Sequence, residues 1–290
     1  MANKHLGKLP AQPARPHLSL ADHLTGEAAP PASVDFTAGT YPMLGNDNYG
    51  DCVEAGICHQ ISEYTRDASG TEVTFTDDDA LGLYSAITGF DKNDPSTDQG
   101  TYTQDAMTYW RKTGVKGHEV TLFASLKLTD LASIKQAVAT FGAVGIGFNF
   151  PESAMDQFDA GQPWTVVKNS PIEGGHYVVA VGYDANYLEV LTWGAVQKMA
   201  WSFFAKYADE AWVVVTPEMV SQAGVAAFTD KVDLYGLGED FTALTGQSNP
   251  FPDVQPPAPT PDPTPAPGSL TAQDVANAVV EALTDLDLTV

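Results

Sequence analysis

The chain has 290 residues, 43% of them apolar and 18% charged, which supplies a sizeable core and argues against global disorder. Its 37 acidic and 14 basic residues leave a net charge of −23. That disfavours a nucleic-acid binder or a polybasic membrane-surface protein, because both need concentrated positive charge. No apolar run reaches the ~18 residues of a membrane span. No secretory signal is recognised around Lys4, Lys8 and Arg15, and two cysteines exclude a disulfide scaffold. The expectation is an acidic protein made without export.

Residues 1–32 carry Pro10, Pro13, Pro16, Pro30 and Pro31 with little periodicity, and read as an extended arm that wraps the core. From 33 to 247 the pattern is globular. Asp51 is an expected N-cap for a helix running through Val53, Ile57 and Ile61 to about Tyr64. The run Asp77, Asp78, Asp79 lacks the alternating spacing and glycine of a calcium loop and reads as a solvated helix start. No zinc motif or phosphate-binding loop is present, so neither a metal nor a cofactor is expected. Helices are expected at Thr103–Thr113 and Leu131–Phe141, the latter stopped by Gly142. Short β-rich runs follow at 143–150, 177–183, 188–192 and 211–215. Helices first and strands later point to an α+β fold.

Nine of the twenty prolines lie between positions 250 and 267, so 248–268 reads as a semi-rigid Pro-rich linker. Beyond it, Val275, Val279, Ala282, Leu283 and Leu286 share one face of a short amphipathic helix at 269–290. A helix this short is marginal alone, which predicts a protein partner or self-association through it.

The most informative loop is 44–52, Leu-Gly-Asn-Asp-Asn-Tyr-Gly-Asp-Cys, which places Cys52 at a helix N-terminus. Unsatisfied N–H groups and the helix dipole there favour a thiolate. Cys52 is therefore expected to alkylate near pH ~6 faster than Cys58, which lies mid-helix. His59 lies two turns along the same helix, ~10 Å away and too far to be its base. The second loop is Gly174-Gly175-His176, where His176 opens an apolar strand and the glycines admit a second backbone. Taken singly, each residue fits a structural role. Together, a thiol at a helix start and a histidine at a strand start can meet across the two halves of an α+β fold.

At these residues the sequence resembles the papain-like cysteine peptidases. The segment 32–36, Ala-Ser-Val-Asp-Phe, resembles the family's mature N-terminal segment. Asn46 lies six positions before Cys52, where the family keeps the glutamine of its oxyanion hole. The segment around Gly100 resembles the glycine-containing edge that pairs with extended substrate. Gly175-His176 with the strand to Tyr183 is the closest match, and Thr192-Trp193-Gly194 with Trp201 resembles the family's Ser-Trp-Gly…Trp segment. The loop and the Trp-Gly…Trp ending are also similar to uncharacterised papain-like proteins of actinobacteria and their phages.

The resemblance implies a two-lobed papain-like fold, a helical half and a β-rich half with the cleft between them. It also implies hydrolysis of peptide or amide bonds in a peptide or protein substrate. Cys52 is the implied nucleophile and His176 the base and then acid, while Asn46 with the Cys52 N–H holds the oxyanion. Gly100, Gly175 and Trp193 are the implied substrate-binding positions.

Departures from the family bear on function. The family's asparagine, which orients the imidazole, is here Leu191. Thr192 stands in if the strand slips by one residue, and Leu191→Asn raises kcat if that side chain faces His176. Asn46 is one methylene shorter than glutamine, and Asp51 sets a carboxylate beside the nucleophile. These features support a second reading, a catalytically weak or inactive structural or interaction protein such as a phage virion or host-interaction component. A third is a peptidoglycan amidase. The expected location is cytoplasmic or virion-associated.

Overall fold

The computed structural model describes residues 4–25, 29–222 and 231–254. Two short strands, β1 (Leu18–Ser19) and β2 (Val34–Asp35), precede three helices, α1 (Cys52–Ser69), α2 (Asp77–Thr88) and α3 (Thr103–Thr113). There follow β3 (Leu122–Ser125), α4 (Leu131–Phe141), β4 (Val144–Pro151), α5 (Glu152–Asp159), β5 (Ile172–Tyr183), β6 (Tyr187–Thr192), β7 (Ala195–Ala200), α6 (Trp201–Tyr207) and β8 (Ala208–Val215). The sheet runs β1-β3-β8-β4-β5-β6-β7, with β2 added alongside β5. Only the β1–β3 pair is parallel among these strands.

Successive side chains of a strand point to opposite faces, so a strand apolar at every position is buried on both. In β5, Tyr177, Val179 and Val181 face the helical lobe, where they meet Val53, Ile57 and Ile61 of α1 and Trp110 of α3. Val178 and Ala180 face a second core with Ile134 and Phe141 of α4 and Phe203 and Phe204 of α6. β8 follows the same rule, with Trp212 and Val214 on the helical side and Ala211, Val213 and Val215 opposite. The sheet thus separates two cores. α1 packs on its helical side and carries Cys52 to β5.

Helix starts follow local chemistry. Thr76 and Asp79 form a reciprocal capping box, so the Asp77–Asp79 run opens α2. Asp130 caps α4 through the Ser133 N–H. α1 continues to Ser69, five residues beyond the expected end, and stops at Gly70, whose φ of 69° suits only glycine well. β5 begins at Ile172, so His176 lies within a strand rather than opening it. Residues 172–175 pair with the far end of β4, an extension that sequence alternation could not show because two of them are glycine.

Within the segment 1–32, Leu18 and Leu20 are buried in the second core and β1 pairs with β3. The body also extends past Gln247. A helix at Leu234–Thr245 packs Leu234, Leu237 and Phe241 into the sheet-side core, and Phe251 and Val254 join them. The helix stops at Gly246, whose φ is 71°, and the prolines at 250 and 252 leave the Phe251 and Val254 side chains free to insert. The rest of the proline-rich segment and the helix expected at 269–290 lie outside the described residues. No helix among the described residues is long and apolar enough to cross a membrane.

Two helical glycines test this packing. A Cβ on Gly56 of α1 would lie 2.5 Å from the Tyr177 ring, whereas one on Gly82 of α2 meets nothing within 4 Å. Gly56→Ala is expected to destabilise by about 1–3 kcal/mol through overpacking. Gly82→Ala should instead stabilise by about 0.4–1 kcal/mol. Urea midpoints of the two variants should move in opposite directions.

Candidate active site

Cys52 is the first residue of α1, so its backbone N–H has no intrahelical acceptor. The preceding loop turns through Leu44 and Gly45, both at positive φ (60° and 86°), and the Asn48 and Tyr49 N–H groups donate to the Gly45 carbonyl. Asp51 stands at the N-cap, but its side chain makes no cap bond. Its φ and ψ of −100° and 22° are not the extended values from which an aspartate reaches the N2 or N3 amide. The Cys52 sulfur is met by the N–H of Tyr177, the residue after His176, and by the N–H of Gly7. The structure therefore brings the cysteine to the histidine strand. Cys58 is buried in the helical core and unpaired with Cys52.

His176 is fully buried in an aromatic cage. Trp193 stacks on its ring at 4.2 Å and 16°, and Phe148 and Phe150 present edges at 5.8 and 5.7 Å. Its Nε2 is hydrogen-bonded to Thr192 Oγ1 at 2.7 Å, while Nδ1 has no partner among the described residues. Of the two positions considered for orienting the ring, Thr192 is the one that reaches it. Leu191 sits one residue earlier in β6, opposite Val179, and faces the helical core. The expectation that Leu191→Asn would aid the imidazole is corrected by strand parity: an asparagine there would be buried on the wrong face.

Trp193 and Gly194 form the two-residue turn between β6 and β7, at φ of 42° and 70°. Positive φ at both positions is the mark of a type I′ hairpin, and it is strained for a side chain as bulky as tryptophan. Stacking on His176 and edge contacts with Phe150 and Phe158 hold the indole there.

The groove between the lobes is filled by the chain's own N-terminal arm. The Lys8 N–H donates to the Gly175 carbonyl, the Leu9 N–H to Thr101, and the Thr101 N–H to Gly7. His5 donates its N–H to the Asn46 carbonyl, and the Asn46 amide reaches the His5 carbonyl at 3.4 Å. Lys4 lies over the Phe158 and Trp193 rings and pairs with Asp159. Three glycines permit the approach. A Cβ on Gly7 would fall 1.7 Å from the Gly50 carbonyl oxygen, one on Gly100 2.1 Å from the Gly7 oxygen, and one on Gly175 2.3 Å from the Lys8 oxygen. Gly100, Gly175 and Trp193, expected to bind substrate, all border this segment. The arm's role was missed by sequence reasoning. Its signal was Leu-Gly-Lys-Leu at 6–9, an apolar–glycine step inside a proline-rich stretch.

Burial sets the electrostatics. Cys52, 2% exposed, has its thiol pushed up to about 12, chiefly by desolvation, against the Tyr177 and Gly7 amides and with Glu54 and Asp51 adding to the rise. His176 is pushed down to about 3 by burial. Burial also lifts Glu54 to about 8, and burial with the nearby Glu54 holds Asp51 well above the usual carboxylate range. With the arm in place, burial favours the neutral form of both the Cys52 thiol and the His176 imidazole. The expected thiolate at the helix N-terminus is thus overturned for this state, because desolvation outweighs the dipole. Among the described residues no group of three or more His, Cys, Asp or Glu side chains could hold a metal ion.

No family model and no curated protein matches the chain in sequence. Solved structures do match in fold. Xylellain, a cysteine protease from Xylella fastidiosa, superposes with a TM-score of 0.60 at 17% identity, over 74% of this chain and 97% of its own. A digestive procathepsin L2 from the larval midgut of Tenebrio molitor gives 0.54 at 17% identity, over 74% and 78%. A procathepsin B from Trypanosoma congolense gives 0.53 at 12%, over 73% and 86%. At these identities the likeness is one of fold, and the fold is the papain-like α+β fold of cysteine proteases.

Proposed function

We propose that this chain is a papain-like cysteine peptidase, latent while its arm fills the groove. The observation that carries the reading is the Thr192–His176–Trp193 arrangement, set on the strand whose next amide meets the Cys52 sulfur. With its proton on Nε2, the imidazole donates to Thr192 Oγ1, and Nδ1 is left as an acceptor for the thiol proton. In the open state Cys52 gives that proton to His176 and attacks the substrate carbonyl. The Asn46 amide and the Cys52 N–H hold the oxyanion. His176 then protonates the leaving amine, and a water, deprotonated by the same imidazole, hydrolyses the thioester. A peptide in the groove takes the backbone partners that the arm uses, at Thr101 and Gly175.

The sealed thiol is the observation that favours the second reading, an interaction protein that has lost chemistry, in the cell or in a virion. Full-length Gly7→Val separates the two, because its side chain cannot fit against Gly50 and the arm must leave. In wild type, iodoacetamide should label Cys52 slowly at pH 7, the rate rising about tenfold per pH unit as thiolate forms. In Gly7→Val, labelling at pH 7 should be faster by at least about a hundredfold, since solvent returns the thiol toward its ordinary range. The open chain should hydrolyse peptide amides, and the further change Cys52→Ala should abolish this. A Cys52 that labels fast in a chain that cleaves no peptide would make it an interaction protein.

Thr192→Val, made in the Gly7→Val background, removes the group that holds Nε2. It should lower kcat by about ten- to a hundredfold with KM little changed, because orientation of the base matters only for chemistry.

The buried acids predict a pH dependence of stability. Glu54 is raised from 4.5 to about 8 in the fold. A raised carboxyl contributes stability that is present below the unfolded value and lost as pH rises through the folded one. His59 and His176, both lowered by burial, oppose this below their ordinary 6.5. The clean window is therefore pH 6.5–8, where wild-type stability should fall by up to about 1.4 kcal/mol per pH unit from this group. Glu54→Gln should flatten that slope in urea titrations, with Asp51 supplying what remains.

A further inference from the structure

The seated arm places a lysine where no solvent reaches. The Lys8 side chain is 1% exposed, and its ammonium donates to Asp209 Oδ2 at 2.9 Å and to its neighbour's Leu9 carbonyl at 3.0 Å, with Glu210 Oε1 at 3.3 Å. The pocket that receives it is built by the body. Gly147 of β4 leaves the path open, since a Cβ there would lie 2.1 Å from the lysine Cε. Glu210 is held from two sides, by the Thr103 hydroxyl at 2.6 Å and the Trp212 indole N–H at 3.0 Å. The second Asp209 oxygen, Oδ1, is buried and without a partner among the described residues. An ammonium with three donors leaves that oxygen unmet, whereas a guanidinium has donors to spare. Beside the arm the groove continues as a cavity of about 370 Å³ reaching Gln99, Asn149 and Ile172.

A buried Glu210 and a part-buried Asp209, side by side at the end of the channel that Gly147 leaves open, are costly unless a cation sits between them. Other side chains of arm or substrate meet no such demand. We propose that this pocket selects a lysine or arginine side chain, so that the peptidase, on the reading given above, takes peptides with a basic residue there. Lys8 is the built-in occupant. Asp209 and Glu210 determine the selectivity, and the net charge of −23 draws basic peptides to the molecule.

Two measurements test this without relying on one another. In the otherwise wild-type full chain, Lys8→Arg should keep Cys52 sealed. Lys8→Leu and Lys8→Glu should raise its iodoacetamide labelling at pH 7 by at least about tenfold, because the Asp209–Glu210 pair is left without its cation. Equal labelling of wild type and Lys8→Leu would overturn the proposal. Second, a labelled synthetic peptide of residues 4–12 is titrated into full-length Gly7→Val, with Lys, Arg, Leu or Glu at its fifth position, that of Lys8. Lys and Arg peptides should bind about tenfold or more tighter than Leu, and Asp209→Asn with Glu210→Gln should erase the difference. Leu peptides binding as well as Lys peptides would overturn it. Selective binding without cleavage of any peptide would leave the pocket standing and remove the peptidase reading alone.

Discussion

The Tyr177 ring, wedged between two glycines, is the contact on which the cleft depends. Its edge presses on Gly56 of α1 and its hydroxyl reaches the backbone of β4 at Gly145, where a Cβ would lie 1.7 Å away. The hydroxyl also donates to Gln60, one turn beyond Gly56. One side chain thus fixes the height and rotation of α1 on the sheet. Its own amide meets the Cys52 sulfur, and its predecessor is His176. Because α1 and β5 are held at this point, the start of the Cys52 helix lies against the strand that carries His176.

The arm then changes the chemistry of what the wedge has placed. A thiol at a helix N-terminus is ordinarily acidified, and an imidazole hydrogen-bonded to a hydroxyl ordinarily titrates near neutrality. Both tendencies fail once water is excluded, since burial disfavours the charged form of each. The same exclusion pushes Asp51 and Glu54 up from the usual carboxylate range, which favours their uncharged forms beside the thiol. The charged pairs that the seated arm makes are those of Lys8 with Asp209 and Glu210 and of Lys4 with Asp159.

Much of this was legible from local chemistry. Helix starts at Thr76 and Asp130 and the helices at Thr103–Thr113 and Leu131–Phe141 follow from caps and periodicity, and the two-sided apolar runs fix the sheet. The cysteine and histidine loops stood out because each joins a reactive side chain to glycines that only a close approach explains. Illegible features were those decided by partners far along the chain. Whether Leu191 or Thr192 faces the imidazole is a matter of strand register, which slips by one residue without changing composition. The burial of Phe251 and Val254 depends on a core that proline statistics do not register. The arm's place in the groove depends on Gly50, Gly100 and Gly175 jointly, and no single window of sequence contains them.

The arm is also a ligand carried on a leash. Leu18 and Leu20 anchor it in the core, so residues 4–9 dwell beside their groove at an effective concentration in the millimolar range, as short tethers give. A free peptide of equal intrinsic affinity would have to reach that concentration to share the groove evenly. Weakening the arm by tenfold lowers the threshold by the same factor, with no change in any residue that touches the peptide. Access of a free peptide to the groove is thus set by the six residues from Lys4 to Leu9 as much as by the groove walls. The arm and the groove can diverge separately while the setting of Cys52 and His176 stays as it is.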